Sequence, residues 1–410
     1  MSFTIGEYDA VKRVNFLYNV PRIIFGAGSI EKISDEIKRL GAEEPRILLI
    51  SDKGVEKAGI VNQVKEILDK ANFNVEIYSK LEGEPTLESM KKPIEIIRDT
   101  SYQGRGIVIG LGGGSVIDTA KLTALLATNP GDPANYFTFP EYPEVKHPPI
   151  PKILISTTAG TGSEVTYFVV ARSANGLKDF FTSPYAIADV AIIDPLLHLS
   201  CPPKITAMTG LDALAHAVEA FLVTYPTTIS DAFALHAIKL VANNLRQATL
   251  VGSDIKARHN MAIAASLGGW SIVLIPSTNI GHCISEVIGP KYQIPHGVAS
   301  GIVTPFEMEF NMPACIDRLN LIAECFGVDT NRSSKREAAK KGIEAIKDLI
   351  RDIDIPLALK EYGVPKDDIP ELARFIVEKR QNLYDLETWN PRKLTIENVT
   401  TLLNQMWNGT

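Results

Sequence analysis

The hydrophobic pattern of this chain changes period once, close to Pro195, and that change limits the fold more than any other feature. Upstream, short apolar runs alternate with stretches whose apolar residues recur every three or four positions. Downstream, only the second pattern persists. Alternating strands and helices build a mostly parallel sheet, because a parallel pair needs a crossover long enough to hold a helix. A long segment without period-two patterning buries its apolar residues as packed helices. The expected architecture is therefore α/β over residues 1–195 and all-α over residues 196–410, and 410 residues is in any case long for a single core.

In the first part, residues 22–25 form a short β-branched run closed by Gly26, Ala27, Gly28 and Ser29, and RILLIS (46–51) is a continuous apolar run suited to burial on both faces. Ile60, Val61, Val64, Ile67 and Leu68 follow at helical spacing, then a strand at NVEIYS (74–79) and an amphipathic helix over 87–98. Further strands are expected at 107–109, at ILIS (153–156) and in AIADVAIID, which ends at Asp194-Pro195; residues 130–151, rich in proline and aromatics, read as an irregular connection. Beyond Leu196, helical spacing covers 205–221, 230–248, 255–270, 334–351, 370–379 and 396–406. There is no internal repeat and no low-complexity segment.

Two loops in the first part have ligand-binding chemistry. In GIVIGLGGGSVIDTAK the strand runs into Gly110, Gly112, Gly113 and Gly114, and a helix opens near Ser115. Glycines there let the backbone approach a ligand, and a helix N-terminus offers N–H groups and a positive dipole end, which together seat a pyrophosphate; a simple tight turn is the alternative. The spacing is not GxGxxG and the loop lies about a hundred residues into the chain, so the ordinary Rossmann fingerprint is not matched. TTAGTGSEVT (157–166), dense in hydroxyls after a strand, points to ligand contact at the carboxyl edge of the sheet, or to a solvated loop. Asp52 ends the strand RILLIS, where a carboxylate can accept from a ribose 2′-hydroxyl and repel a 2′-phosphate, favouring NAD over NADP; capping of the following turn is the other reading.

The helical part gathers one carboxylate and three imidazoles. Asp212 and His216 are four apart in LDALAHAVEA and share one helix face; His282 and His296 lie in GHCISEVIGPKYQIPHGVAS. Pro290 and Pro295 argue against one continuous helix between them, so His282 is expected on a first helix and His296 at the start of a second. A mixed nitrogen and carboxylate set suits Fe(II), Zn(II) or another first-row ion, whereas calcium and magnesium prefer oxygen ligands. Ordinary core or surface histidines are the alternative.

Composition narrows the partners. A net charge of −6 with Lys and Arg spread along the chain offers no basic stripe for nucleic acid and no polybasic membrane anchor. Cys201, Cys283, Cys315 and Cys325 lack CxxC spacing, and the N-terminus MSFTIGEYDAVKRVNF does not read as a secretory signal, so a cytoplasmic protein is expected. The longest uncharged stretch, 261–281, raises a membrane question, but Gly268, Gly269, Pro276, Ser277 and Asn279 within it fit a buried helix and loop better.

GGGSVIDTAK, TTAGTGSEVT, DALAHAVEA with PHG, FGAGS near the start and NPR (390–392) near the end, in this order, resemble the iron-containing (group III) alcohol dehydrogenases over essentially the whole chain. The resemblance implies a dehydroquinate synthase-like architecture: an α/β N-terminal dinucleotide-binding domain with a mostly parallel sheet, an all-α C-terminal domain, and the active site in the cleft between. It implies that Asp212, His216, His282 and His296 ligate the metal, Fe(II) or alternatively Zn(II), and that Gly112, Gly113, Gly114, Ser115 and Asp118 hold the pyrophosphate of NAD, with NADP as the other option. Thr157, Thr158, Thr161 and Val165 would line the nicotinamide end, and Lys178 would match a lysine used near the cofactor. The implied activity is hydride transfer between a nicotinamide and a small alcohol, aldehyde or ketone, with the metal as Lewis acid, in a homo-oligomer such as a dimer.

The chain departs from the family at Glu286, where a histidine commonly stands four residues after the third ligand, and at VLIPSTNIG, which replaces an aromatic-and-asparagine stretch. On a helix, Glu286 shares the face of His282, so its carboxylate would relay a proton, bind a substrate hydroxyl, coordinate the metal, or be salt-bridged elsewhere. Two rival functions remain at this stage. One is a metal enzyme of the related glycerol dehydrogenase and sugar-phosphate cyclase group acting on a polyol; the other is a catalytically silent protein on the same scaffold.

Overall fold

The computed structural model describes residues 20–41, 44–138, 143–173, 176–275 and 278–410. The N-terminal segment considered above, and Pro276 and Ser277, lie outside the described residues. The chain divides into two compact units, one ending at Cys201 and the other starting at Pro202. The division falls a little after the change of pattern because Asp194 ties the next turn back. Its carboxylate accepts from Gly28 N (3.2 Å), Ile30 N (3.1 Å) and Leu196 N (3.0 Å), and His198 Nε2 meets Ser156 O at 3.0 Å.

The first unit holds a six-stranded sheet in the order β1-β8-β5-β4-β2-β3, built from β1 (Arg22–Phe25), β2 (Arg46–Asp52), β3 (Asn74–Leu81), β4 (Gly106–Gly112), β5 (Lys152–Ser156) and β8 (Val190–Ile193). Every pair in it is parallel. The helices of this unit are α1 (Ile33–Arg39), α2 (Lys53–Lys57), α3 (Ile60–Lys70), α4 (Leu87–Ile97) and α5 (Gly114–Leu126). Strand alternation sends Ile47, Leu49, Ile107, Ile109, Ile153 and Ile155 to one face with Ile33, Ile37, Val61, Val64 and Leu68, while Leu48, Ile50, Val108 and Leu154 meet Val116, Ile117, Ala120 and Ala124 on the other. A sheet covered on both faces needs continuous apolar strands, which is why RILLIS carries no polar alternation. An antiparallel hairpin of β6 (Phe168–Arg172) and β7 (Lys178–Thr182) stands apart from this sheet and was not foreseen.

The described part of the second unit is helical: α6 (Pro203–Leu222), α7 (Thr228–Leu250), α8 (Ile255–Val273), α9 (Ile280–Tyr292), α10 (His296–Cys325), α11 (Lys335–Asp352), α12 (Ile369–Phe375), α13 (Leu386–Trp389) and α14 (Ile396–Asn408). The expected helix over 370–379 becomes α12 followed by a π-helical turn, Ile376–Arg380. Helix α6 lies against α7, α8, α9 and α10 and is long and apolar enough to cross a membrane; 83% of its most apolar window is buried inside the fold, which makes it a core helix. As expected, His282 lies on one helix and His296 opens the next; the break comes after Pro290. Helix α9 runs through it to Tyr292 and stops at Gln293, whose left-handed φ of 57° terminates the helix before Pro295. Pro290 lacks the N–H that would bond the carbonyl of Glu286, so the helix gives up one intrahelical hydrogen bond there.

Candidate functional site

In the first unit the two ligand-type loops interlock. Thr157 N donates to Gly112 O (3.0 Å), and a Cβ on Gly113 or Gly114 would stand 3.1 Å from Thr158 Oγ1 or 2.6 Å from Thr161 Cγ2. A Cβ on Gly112 would fall 2.6 Å from Val116 Cγ2, so the three glycines are required for α5 to start where it does. Helix α5 opens at Gly113 with no side-chain cap, so its first N–H groups have no side-chain acceptor from that position. Gly112, Gly113, Gly114, Ser115, Thr157, Thr158 and Thr161 thus gather at the carboxyl edge of β4 and β5.

Asp118 is placed differently from a phosphate contact. Its buried carboxylate accepts from Ser163 Oγ (2.5 Å) and Val170 N (3.1 Å) and stands 3.5 Å from Lys121 Nζ. Lys121, fully buried, donates to Ser163 Oγ (2.6 Å), Thr166 Oγ1 (3.2 Å) and Phe168 O (2.8 Å). Burial drives Lys121 down to about 8 against the pull of Asp118 and Glu164, and burial raises Asp118 against the pull of Lys121. The pair braces α5 against the loop that contains buried Val165 and against β6. Lys178, on β7, is ion-paired with Glu84 at 2.9 Å. Asp52 caps α2 through Oδ1, which accepts from Gly54 N (2.7 Å) and Val55 N (2.9 Å). Because β2 neighbours β4, Asp52 and Gly112 end adjacent strands on the same sheet edge.

In the second unit, ligand atoms of Asp212, His282 and His296 all lie within 4.8 Å of one another. The His216 ring stacks on His282 (centroids 4.7 Å apart, 14° between planes), and the His282 and His296 rings are 5.4 Å apart. Small residues make this convergence possible. A Cβ on Gly297 would sit 2.1 Å from Met208 O, on Gly301 2.6 Å from Leu211 Cβ, and on Gly268 3.1 Å from Ala213 O. Helices α8 and α10 therefore press against α6 at backbone distance, bringing His296 to Asp212 (3.5 Å).

A cation fits this donor set. Asp212 Oδ1 and His282 Nε2 are buried and make no hydrogen bond among the described residues, and each such group costs about 1–3 kcal/mol when left so. Burial opposes charge on His282, yet the carboxylates of Glu219, Asp212 and Glu286 prevail and pull it up to about 9, so the pocket favours positive charge.

Further carboxylates also gather here. Glu219, one turn beyond His216 on α6, accepts from His282 Nδ1 and, through Oε2, from Asn279 N (3.0 Å) and His282 N (3.1 Å). A Cβ on Gly281 would fall 2.7 Å from Glu219 Oε1 and 2.2 Å from Glu307 Oε2. Burial and the charge of Glu219 push the Glu307 carboxyl well up, with the Gly281 N–H pulling the other way. Glu286, one turn from His282, accepts at Oε2 from Arg380 Nη2 (3.2 Å) and from Tyr384 OH, all three being buried. Arg380 ends the π-helical turn, a rare element that often marks functional positions.

Residues 21–195 match the iron-containing alcohol dehydrogenase family and residues 206–407 match the C-terminal domain of the Fe-containing alcohol dehydrogenase family. The chain is 36% identical over 371 residues to long-chain-alcohol dehydrogenase 1 of Geobacillus thermodenitrificans, covering 89% of this chain and 92% of that protein. A crystal structure of 1,3-propanediol oxidoreductase matches with a TM-score of 0.87 at 32% identity, over 96% of this chain and 100% of the other. Sulfoacetaldehyde reductase from Bifidobacterium kashiwanohense, solved in complex with NAD+, matches with a TM-score of 0.80 at 28% identity, over 96% and 99%. The chain belongs to the iron-containing alcohol dehydrogenase family. Its activity is that of an oxidoreductase moving hydride on and off small alcohols and aldehydes.

Proposed function

We propose that the chain is an NAD-dependent alcohol dehydrogenase whose Asp212, His216, His282 and His296 hold a divalent first-row cation, Fe(II) or alternatively Zn(II). The observation that carries this reading is the cluster of buried Asp212 and His282 with half-buried His296, in which Asp212 Oδ1 and His282 Nε2 make no hydrogen bond among the described residues. Mixed nitrogen and oxygen donors suit those ions. When bound, the cation polarises the substrate oxygen and the nicotinamide exchanges a hydride with the adjoining carbon.

The remaining roles belong to the chain. Gly112, Gly113, Gly114 and Ser115 seat the pyrophosphate on the α5 N-terminus, as a helix end with free N–H groups does. Thr157, Thr158, Thr161 and Val165 line the nicotinamide end, with Asp118 and Lys121 bracing that loop from behind. Lys178, held by Glu84, approaches the cofactor from the hairpin. Asp52 carries NAD preference through the ribose hydroxyls in addition to capping α2; the NAD+ complex of the sulfoacetaldehyde reductase is in line with that choice. Glu286 contacts the substrate hydroxyl or takes up its proton, in concert with Tyr384, whose O–H meets the same carboxylate oxygen as Arg380. Arg380 neutralises Glu286, so the pocket favours an uncharged alcohol or aldehyde.

The test is metal content and nicotinamide absorbance change with a panel of small alcohols and aldehydes, run in both directions with NAD and NADP. His216→Ala and His296→Ala should each lose metal and rate together. A variant that kept both would refute the ligand assignment.

A further inference from the structure

Resting on the metal reading above, we propose that Glu219 is a positioning residue that fixes His282 in the one tautomer and ring orientation able to bind the cation, and that Gly281 is its necessary companion.

A neutral imidazole carries its hydrogen on one nitrogen and offers a lone pair on the other, and the hydrogen-bond partner decides which. Glu219 Oε1 faces His282 Nδ1; a carboxylate only accepts, so Nδ1 carries the hydrogen and Nε2 is left as the donor atom. That Nε2 is buried without a hydrogen bond and lies in the group with Asp212 and His296. The second oxygen is equally committed, since Oε2 accepts from Asn279 N and His282 N at the N-terminus of α9. One carboxylate therefore holds the ring, the backbone of the same residue and the start of the helix that bears it. Nothing longer than a hydrogen atom fits between this carboxylate and Glu307 at position 281. Arg380 offsets Glu286, and Glu307 is favoured in its neutral form by burial beside Glu219. That leaves Asp212 and Glu219 as the two carboxylate charges set against a divalent cation. The chain thereby approaches local neutrality with one carboxylate among the ligands and one behind them.

Glutamine at 219 keeps the shape and offers one accepting oxygen where two are used. Its NH2 group must confront either His282 Nδ1–H or the two backbone N–H groups. The experiment is Co(II) and Zn(II) affinity of the metal-stripped full-length protein by chelator competition, with the Co(II) ligand-field spectrum recorded for wild type, Glu219→Gln and Gly281→Ala. Both variants should bind about 10–100-fold more weakly, the usual effect of losing a carboxylate behind a ligating histidine, with an altered spectrum. In parallel, 15N-histidine-labelled, Zn(II)-loaded wild type should contain an imidazole that ligates through Nε2 and keeps a hydrogen on a strongly hydrogen-bonded Nδ1. That measurement does not depend on either variant folding. Wild-type affinity and spectrum in Glu219→Gln, or absence of that imidazole in the loaded wild type, overturns the proposal and leaves the metal reading standing. Failure of wild type to bind either ion overturns the metal reading itself.

Discussion

Gly297→Ala adds a single methyl group and touches no ligand, yet it should disable the metal cluster. Gly297 follows His296 in the first turn of α10, and its Cβ would be 2.1 Å from Met208 O and 3.3 Å from Asp212 Cβ. Real Cβ atoms essentially never approach closer than 3.0 Å, so α10 must retreat from α6 by at least 0.9 Å. The obstacle is a backbone carbonyl in mid-helix, which cannot swing away as a side-chain tip would. Ligand distances tolerate only about 0.2 Å, so a retreat of that size takes His296 out of register with Asp212. The overpacking should cost roughly 1–3 kcal/mol of stability, and displacement of a reacting group by about 1 Å lowers kcat/KM by on the order of 10²-fold. Metal stoichiometry after dialysis, thermal melting and kcat/KM with a small alcohol measure the three effects. A Gly297→Ala protein with parental metal content and kcat/KM would show that the close crossing of α10 and α6 does not set the site.

Asp52→Gly should lower the NAD to NADP ratio of kcat/KM, while removal of the cap on α2 costs only a few tenths of a kcal/mol because glycine is tolerated there; an unchanged ratio reduces Asp52 to a helix cap. Glu286→Gln should keep the metal and lower kcat by about 10²-fold if Glu286 handles the substrate proton, whereas a lower melting temperature with unaltered kcat would mean that it serves only to pair Arg380. Lys121 gives a pH signature. Its folded form releases the proton at about 8 and the unfolded chain near 10.5, so between those values the unfolded state binds more protons and this group adds stability as pH rises. Comparing melting curves of wild type and Lys121→Met from pH 7 to 10 should show an upward component that the variant lacks; parallel profiles would contradict it.

Much of the fold was legible because its two periodicities do not mix. Six helical segments beyond Leu196 appear close to their expected bounds, since each buries a face against α6 or its neighbours and the spacing of apolar residues records that face. The hairpin of β6 and β7 escaped notice although Asn175-Gly176 is a hairpin dipeptide, because FVVAR and KDFFT are five-residue strands lying between motif-rich loops. Pro290 and Pro295 correctly separated the two histidine-bearing helices, while the break itself falls at Gln293, whose left-handed backbone no sequence signal marks. At the site, motif resemblance brought forward Asp212, His216, His282 and His296, of which Asp212, His282 and His296 form the tight group while His216 lies stacked beside it. Glu219, Gly281, Glu307, Arg380 and Tyr384 were passed over, since their roles depend on neighbours distant in sequence.

A rule read from α6 would have recovered the most consequential of these. From Gly210 to Leu222 every residue of this helix is buried, so it has no wet face on which to place a charge. Its titratable residues beyond Lys204 are Asp212, His216 and Glu219. A helix apolar all round is a core helix, and an ionisable group inside it must ligate, pair or go neutral. Asp212 and His216 take the first course in our reading; Glu219 takes the second, with His282. The same logic holds in α5, buried from Val116 to Leu126, where the charged residues are Asp118 and Lys121 and each is bound to the other's network. It holds again in the buried part of α9, where Glu286 is held by Arg380. Charges in helices without a polar face are therefore the residues to test first in a chain of this kind. Within α6 the rule separates Glu219, to which the motif reading gave no role, from the many surface glutamates that look the same in sequence.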